Sequence, residues 1–336
     1  MIRRVRLRSL AKVNLDLRVL HKRTDGFHEL RTVFQTISLS DTLEIEYQPA
    51  RRTILEIDDP LAIPDNLVLR SARAALDAMK MHARVRFRLR KSIPMGGGLG
   101  GGSSNAAAVL LALPVLAGHP LPLDRSLRLG AELGSDVPFF LTGGTALALG
   151  RGTELYGLPD LAPEPILVTA PGIHVATGPA YQALGRGAPT PAAEDLTSTD
   201  FLRRINSFQL FVRTLGDLRS ARAASALSAN DFESAVFSQH PPLKKMWGRL
   251  RKHAAGARMT GSGSALFAIF ASKAERDFAE QVLEGDRVMR GCRVIPATLV
   301  SRKGYRRLWR RQLAEYLVGD AAPHELLWPL PSRHGQ

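Results

Sequence analysis

Pro94-Met95-Gly96-Gly97-Gly98-Leu99-Gly100-Gly101-Gly102-Ser103-Ser104 is the stretch on which the fold turns. Between Gly96 and Gly102 every residue except Leu99 is glycine, and a backbone without Cβ atoms can pass close to a ligand and turn its N–H groups toward it. Upstream, Arg84-Val85-Arg86-Phe87-Arg88-Leu89-Arg90 alternates arginine with apolar residues, the period-two pattern of a half-exposed strand in an antiparallel sheet. Downstream, Ser103 is placed to cap a helix through Asn105-Ala106-Ala107-Ala108-Val109-Leu110-Leu111. A glycine loop that enters a helix aims N–H groups and the helix dipole at an anion, so phosphate binding is the expectation. The competing reading, a flexible hairpin, is disfavoured because such glycine density lowers stability without packing in return.

Two other phosphate-binding patterns fit less well. Gly96, Gly98 and Gly101 satisfy G-x-G-x-x-G, with Asp124 further on. The strand before them is amphipathic, however, whereas a dinucleotide fold uses a buried parallel strand there. The pattern G-x-x-x-x-G-K-[ST] fails because Gly102 stands where its lysine belongs.

Outward from the loop, residues 2–20 and 42–47 alternate as strands and Asn66 to Met79 has helical spacing. Tyr156-Gly157-Leu158-Pro159 through Pro165 interrupts the pattern and marks a boundary near residue 160. Beyond it the sequence predicts a strand at Ile166 to Thr169, a loose stretch at 185–193, and helices around 200–215 and 243–254. A glycine turn at 260–264 and a strand at Ala265 to Phe270 follow. Strands and helices mix without βαβ alternation, which points to an α+β class. The expected domains are 1–160 and 161–300, followed by a basic extension, 301–336, of open role.

Composition sets outer bounds. The chain has 336 residues, 45% apolar and 23% charged, ordinary for a globular protein of about two domains. Its longest apolar run, Ala106 to Ala117, is broken by Pro114 and is shorter than the ~20 residues a spanning helix needs. No secretory pattern opens the sequence and Cys292 is the single cysteine, so neither an internal disulfide nor a cysteine zinc site is expected, and a cytoplasmic location is. The formal net charge of +15 favours anionic partners without choosing among them. Arg302-Lys303-Gly304-Tyr305-Arg306-Arg307-Leu308-Trp309-Arg310-Arg311 interleaves cations with aromatics as a nucleic-acid patch would, and also as a solvated helix face would.

Read as P-M-G-G-G-L-G-G-G-S-S-N-A-A, the loop resembles the second motif of the GHMP kinase superfamily. Further motifs follow the superfamily's order: Ala11-Lys12-Val13-Asn14-Leu15 with Asp25-Gly26-Phe27-His28, Asp65-Asn66-Leu67-Val68, Gly134-Ser135-Asp136-Val137-Pro138, Asn230-Asp231-Phe232-Glu233, and Thr260-Gly261-Ser262-Gly263-Ser264. The resemblance implies a two-domain α+β fold, with an N-terminal domain of the ribosomal-protein-S5-like domain 2 type and a C-terminal ferredoxin-like α/β sandwich. It also implies ATP as co-substrate, with Mg²⁺.

In detail the motifs are similar to the branch that phosphorylates the 2-hydroxyl of a cytidine-diphosphate-linked methylerythritol. A kinase for another small alcohol, and a basic nucleic-acid-binding protein, stay open as alternatives. The resemblance casts Asp136 as catalytic base and Lys12 as its cationic neighbour. ATP would lie against Pro94, Met95, Gly96, Gly97, Gly98, Leu99, Gly100, Gly101, Gly102, Ser103 and Ser104, with Asn66 and Lys91 bordering adenine. Asn14 would meet the erythritol hydroxyls, Phe27 and Tyr181 would sandwich cytosine, His28 would read its edge, and Thr177, Gly261 and Gly263 would complete the substrate side. Metal ligands are not named by it. The expected partner is the small-molecule substrate, with no membrane and no nucleic acid, in a monomer or homodimer.

Overall fold

The computed structural model describes residues 1–119, 121–184, 199–317 and 328. The first half builds a six-stranded sheet from β1 (Arg3–Lys22), β2 (His28–Pro49), β3 (Ile54–Asp58), β4 (Ala83–Arg90), β5 (Thr145–Gly150) and β6 (Glu154–Gly157). The order is β3-β4-β2-β5-β6, with β1 also paired to β2. The arginine-alternating segment is β4, antiparallel to β2 as its pattern predicts, while its other neighbour β3 runs parallel. Val85, Phe87 and Leu89 enter the core. On the other face register sets Arg4, Glu46, Arg86 and Glu56 in one row and Arg6, Glu44, Arg88 and Asp58 in the next. The Arg86–Glu56 and Arg88–Asp58 pairs, at 2.6 and 3.0 Å, are exposed, so solvent screens them and they add little to stability.

Helices α1 (Leu67–Met79), α2 (Gly101–Ala117), α3 (Leu123–Leu133) and α4 (Val137–Thr142) belong with this sheet. The start of α2 differs from expectation. Its N-cap is Gly100 at φ 71°, with no side-chain cap, and Ser103 lies inside the first turn. Glycine tolerates the left-handed conformation that admits the early start.

The second half is an antiparallel four-stranded sheet, β10-β7-β9-β8, from β7 (Pro165–Ala170), β8 (Arg258–Met259), β9 (Leu266–Ile269) and β10 (Arg293–Thr298). Its helices are α5 (Thr177–Ala183), α6 (Thr199–Leu218), α7 (Phe232–Gln239), α8 (Pro241–His253) and α9 (Lys273–Glu284). This is the expected α/β sandwich; the loose stretch at 185–193 lies outside the described residues.

The chain then returns to the first half. Helix α10 (Arg302–Leu313) buries Tyr305, Trp309 and Leu313 in the first core. Both rings are 1% exposed, so the aromatics that gave this segment the look of a nucleic-acid patch serve as core residues instead.

Strand β1 joins the halves. Its early residues, Val5, Leu7 and Leu10, lie in the first core, Ala11, Val13 and Leu15 pack with Ile166, Val168 and Phe267, and Leu17 and Val19 pack with Phe232 and Met259. The middle of β1, which carries Lys12 and Asn14, therefore lies at the seam between the two sheets.

Candidate active site

Lys12 is nearly sealed in the seam. Its Nζ donates to Asn14 Oδ1 at 2.8 Å and lies 3.3 Å from Asp136 Oδ2. The same ammonium sits 5.0 Å from the centroid of the Phe34 ring. The lysine side chain is 4% exposed and that of Asp136 31%, so the carboxylate faces the cavity and the ammonium supports it from behind. Asp136 occupies the N-cap position of α4 but makes no side-chain cap bond. Its carboxylate is thereby left for other chemistry.

Asn14 ties the lysine to the second half. Its Oδ1 accepts from Gly261 N at 2.9 Å and from Thr260 Oγ1 at 3.2 Å, and its Nδ2 donates to Thr32 Oγ1 at 2.8 Å. Thr260 Oγ1 in turn reaches Gly98 O at 3.3 Å. The two glycine turns thus meet over one asparagine. A Cβ added to Gly98, which has φ 75°, would run into the Thr260 carbonyl. One added to Gly100 would come within 2.8 Å of the Phe140 ring, and one at Gly97 within 3.1 Å of Ala265 Cβ. The glycine density therefore does return packing, contrary to expectation, because the loop is pressed between α4 and the second half. Its first-turn N–H groups, at Gly101, Gly102 and Ser103, have no intrahelical acceptor.

The loop is fixed at its base by Asp41, a fully buried residue that no motif signalled. Asp41 Oδ1 accepts from Ser92 N and Ile93 N at 2.8 and 2.9 Å, while Oδ2 accepts from Asn105 Nδ2 at 3.0 Å and pairs with Lys91 Nζ. Lys91, expected beside adenine, is thus engaged from below the loop. Asn66 is the N-cap of α1, accepting from Val68 N at 3.0 Å and donating to Asp59 at 3.0 Å. Ser104 is buried and donates to Leu10 O at 2.6 Å, whereas Ser103 is half-buried and Met95 exposed.

A cavity of about 590 Å³ opens beside Lys12 and Asp136 and is lined by Asn14, Phe27, His28, Gly98, Thr177, Tyr181 and Gly261 among others. Nine of the residues singled out in the sequence line this cavity, but from the stretch Pro94 to Ser104 only Gly98 does, and Asn66, Lys91 and Gly263 also lie outside the lining. The two rings expected to sandwich a base have other neighbours here. Tyr181 stacks on His28 at 4.5 Å and 22°, and meets the Phe232 ring edge-on. Phe27 is 47% exposed, with the Arg151 guanidinium carbon 3.5 Å from its centroid. His28 Nε2 and Arg151 Nε are buried without a hydrogen-bond partner among the described residues. Burial lowers the His28 pKa, with Lys22 and His21 adding to the effect, so its imidazole tends to be neutral. Burial, and then the charge of Asp136, push the Tyr181 hydroxyl up to about 12.

Sequence reasoning missed Arg151, whose signal is only an arginine between Gly150 and Gly152 in the β5–β6 turn. The diagnostic Asn230 to Glu233 segment anchors the second glycine turn. Asn230 Nδ2 donates to Met259 O and Gly261 O at 2.7 and 2.8 Å, and Glu233 accepts from Met259 N at 2.8 Å. Thr177 Oγ1 lies 3.2 Å from Ser262 Oγ, which joins α5 to the same turn.

The chain matches known proteins in both sequence and fold. Residues 66–144 match the GHMP kinases N terminal domain and residues 207–286 the GHMP kinases C terminal domain. The 4-diphosphocytidyl-2-C-methyl-D-erythritol kinase of Solibacter usitatus is 51% identical over 333 residues, 99% of this chain and 98% of that protein. The same kinase of Syntrophus aciditrophicus is 37% identical over 83% of this chain and 94% of its own length. A crystal structure of 4-(cytidine 5'-diphospho)-2C-methyl-D-erythritol kinase superposes with a TM-score of 0.68 at 34% identity, covering 89% of this chain and 99% of that one. A homoserine kinase from Cytophaga hutchinsonii, 18% identical with a TM-score of 0.64 over 88% of this chain and 95% of that one, shares the fold.

Proposed function

The chain belongs to the 4-diphosphocytidyl-2-C-methyl-D-erythritol kinases within the GHMP kinase family, and from that membership we propose how its own residues perform the reaction. The enzyme transfers the γ-phosphoryl group of ATP to the 2-hydroxyl of 4-(cytidine 5'-diphospho)-2-C-methyl-D-erythritol, giving the 2-phosphate and ADP. This is a step of the non-mevalonate route to isoprenoid precursors.

Phosphoryl transfer needs in-line positioning and neutralisation of charge more than covalent help from the protein. Asp136 accepts the proton of the attacking hydroxyl, and Lys12 stabilises negative charge on the transferring group while holding that carboxylate in place. The single observation that carries this reading is the 3.3 Å contact between Lys12 Nζ and Asp136 at the wall of a cavity where both glycine turns meet. The glycine loop and the first turn of α2 cradle the ATP phosphates through backbone N–H groups. Asn14, already bound to Lys12 and Gly261, offers its remaining N–H to the erythritol hydroxyls.

On the cytidine side, Phe27 and Tyr181 supply stacking surfaces and the unpartnered His28 Nε2 a hydrogen bond to the base edge. Arg151, stacked on Phe27 with Nε free, adds a cation for the diphosphate. Among the described residues no group of three or more His, Cys, Asp or Glu side chains could hold a metal ion. Mg²⁺ would arrive with ATP, held largely by the phosphates and by water with one or two side chains at most, and would offset the negative charge of the phosphates. None of the described helices is long and apolar enough to cross a membrane.

The test is a coupled ADP-release assay with the cytidyl substrate set against mevalonate and homoserine. Turnover confined to the cytidyl substrate is expected. Preference for either alternative, or turnover of none, overturns the reading.

A further inference from the structure

Helix α4 is six residues long, too short to be stable by itself, yet it carries Asp136 at its N-terminus and the Phe140 ring that packs against Gly100 of the glycine loop. The last carbonyls of a helix have no intrahelical donor and must be satisfied from outside. In α4, Phe139 O accepts from Gly143 N at 2.8 Å. The next two carbonyls are taken by side chains from the C-terminal segment: Tyr305 Oη donates to Phe140 O, and Trp328 Nε1 donates to Leu141 O at 2.6 Å.

The chain leaving α4 is pressed against the same segment. A Cβ at Gly143 would overlap the Tyr305 ring, and one at Gly144 would come within 2.6 Å of Arg302 Cβ. The segment is itself held firmly. Asp160 accepts from Arg302 N at 2.6 Å and Lys303 N at 3.2 Å, Ser301 Oγ caps Gly304 N at 3.0 Å, and Tyr305 is 1% exposed. All of these C-terminal residues lie beyond the stretches matched by the two GHMP kinase domains, the second of which ends at residue 286.

We propose that Tyr305 and Trp328 are positioning residues for catalysis: the C-terminal segment clamps the far end of α4 and so sets the Asp136 carboxylate against Lys12. Neither residue lines the active-site cavity, so their action passes through α4. The inference rests on the reading of Asp136 as the base.

Tyr305→Phe removes the hydroxyl and keeps the ring. Loss of one such hydrogen bond should lower kcat by about 3- to 10-fold, with the KM of both substrates within about two-fold of the parent. In an Asp136→Asn background the same substitution should cause no further loss of kcat, because the group it positions is gone. A merely structural role would lower both backgrounds by the same factor, and that result overturns the proposal, as does an unchanged kcat or a change confined to KM. Should Tyr305→Phe fail to fold, Trp328→Phe is measured in the same two backgrounds with the same expectations. Normal turnover by Asp136→Asn alone would instead remove the base assignment, an outcome distinct from failure of the clamp.

Discussion

Replacing Asp41 by asparagine keeps shape and volume and changes only charge and hydrogen bonding, at a residue that is 0% exposed. Its two oxygens now accept from four donors: Ser92 N, Ile93 N, Asn105 Nδ2 and Lys91 Nζ. An asparagine offers one oxygen and one NH₂, so either rotamer sets a donor against two donors. The ammonium of Lys91, whose side chain is 8% exposed, also loses its counter-charge. Breaking a buried pair from one side is expected to lower stability by about 3 to 5 kcal/mol, a large share of the roughly 5 to 15 kcal/mol typical of a folded protein.

Urea unfolding would read that loss, and the KM for ATP should rise with it because Asp41 holds the residues that lead into the glycine loop. The double variant Asp41→Asn/Lys91→Met removes the stranded charge and should recover most of the stability. If stability returns while the KM for ATP stays high, Lys91 itself faces the nucleotide; if both return, its part is to hold the loop. A loss below about 1 kcal/mol for Asp41→Asn would refute the reasoning, since exposed pairs have that value.

Asp136→Asn should reduce kcat by roughly 10²- to 10⁴-fold with ATP affinity retained in equilibrium titration; near-normal turnover would remove it as the base. Phe27→Ala should raise the KM for the cytidyl substrate by about 5- to 150-fold, the equivalent of about 1 to 3 kcal/mol of stacking, and Arg151→Ala should raise it too; effects confined to ATP would put this wall on the wrong side of the reaction. Burial pushes the Asp16 carboxyl up from 3.8 to about 6, despite Arg18 and the Ala229 N–H beside it. The folded state then keeps a proton that the unfolded chain releases, so this group's contribution to stability falls as pH rises from about 4 to 6. Thermal unfolding of the parent and of Asp16→Asn across that window should diverge with that sign, and parallel curves would show that Asp16 titrates normally.

How much of this was legible beforehand follows from how local each signal is. The glycine loop and the alternation of β4 could be read from a few residues each, whereas Lys12, Asn14 and Asp136 stood out only through the order of motifs they share with the GHMP kinases. The reason for the glycines could not: Gly98 and Gly100 answer to Thr260 and Phe140, partners set only by folding. Asn14 likewise looks like a substrate ligand in sequence, while its oxygen is bound by Gly261, 247 positions away. Asp41, an acid in an ordinary strand, became the anchor of the glycine loop only when the sheet brought it under Ser92 and Ile93. The basic C-terminal run shows the converse, since its cations suggested a ligand and its rings turned out to be core.

Sequence alone pointed to a glycine loop of the kind that takes phosphate, because backbone permissiveness is a local property, and its motifs pointed to a lysine and an aspartate of the kinds phosphoryl transfer uses. Only the tertiary structure decided that the two glycine turns meet over Asn14, that His28 lies on Tyr181 and Arg151 on Phe27, and that α4 is held from the C-terminus. Those are contacts between distant segments, and burial rather than residue type selects them.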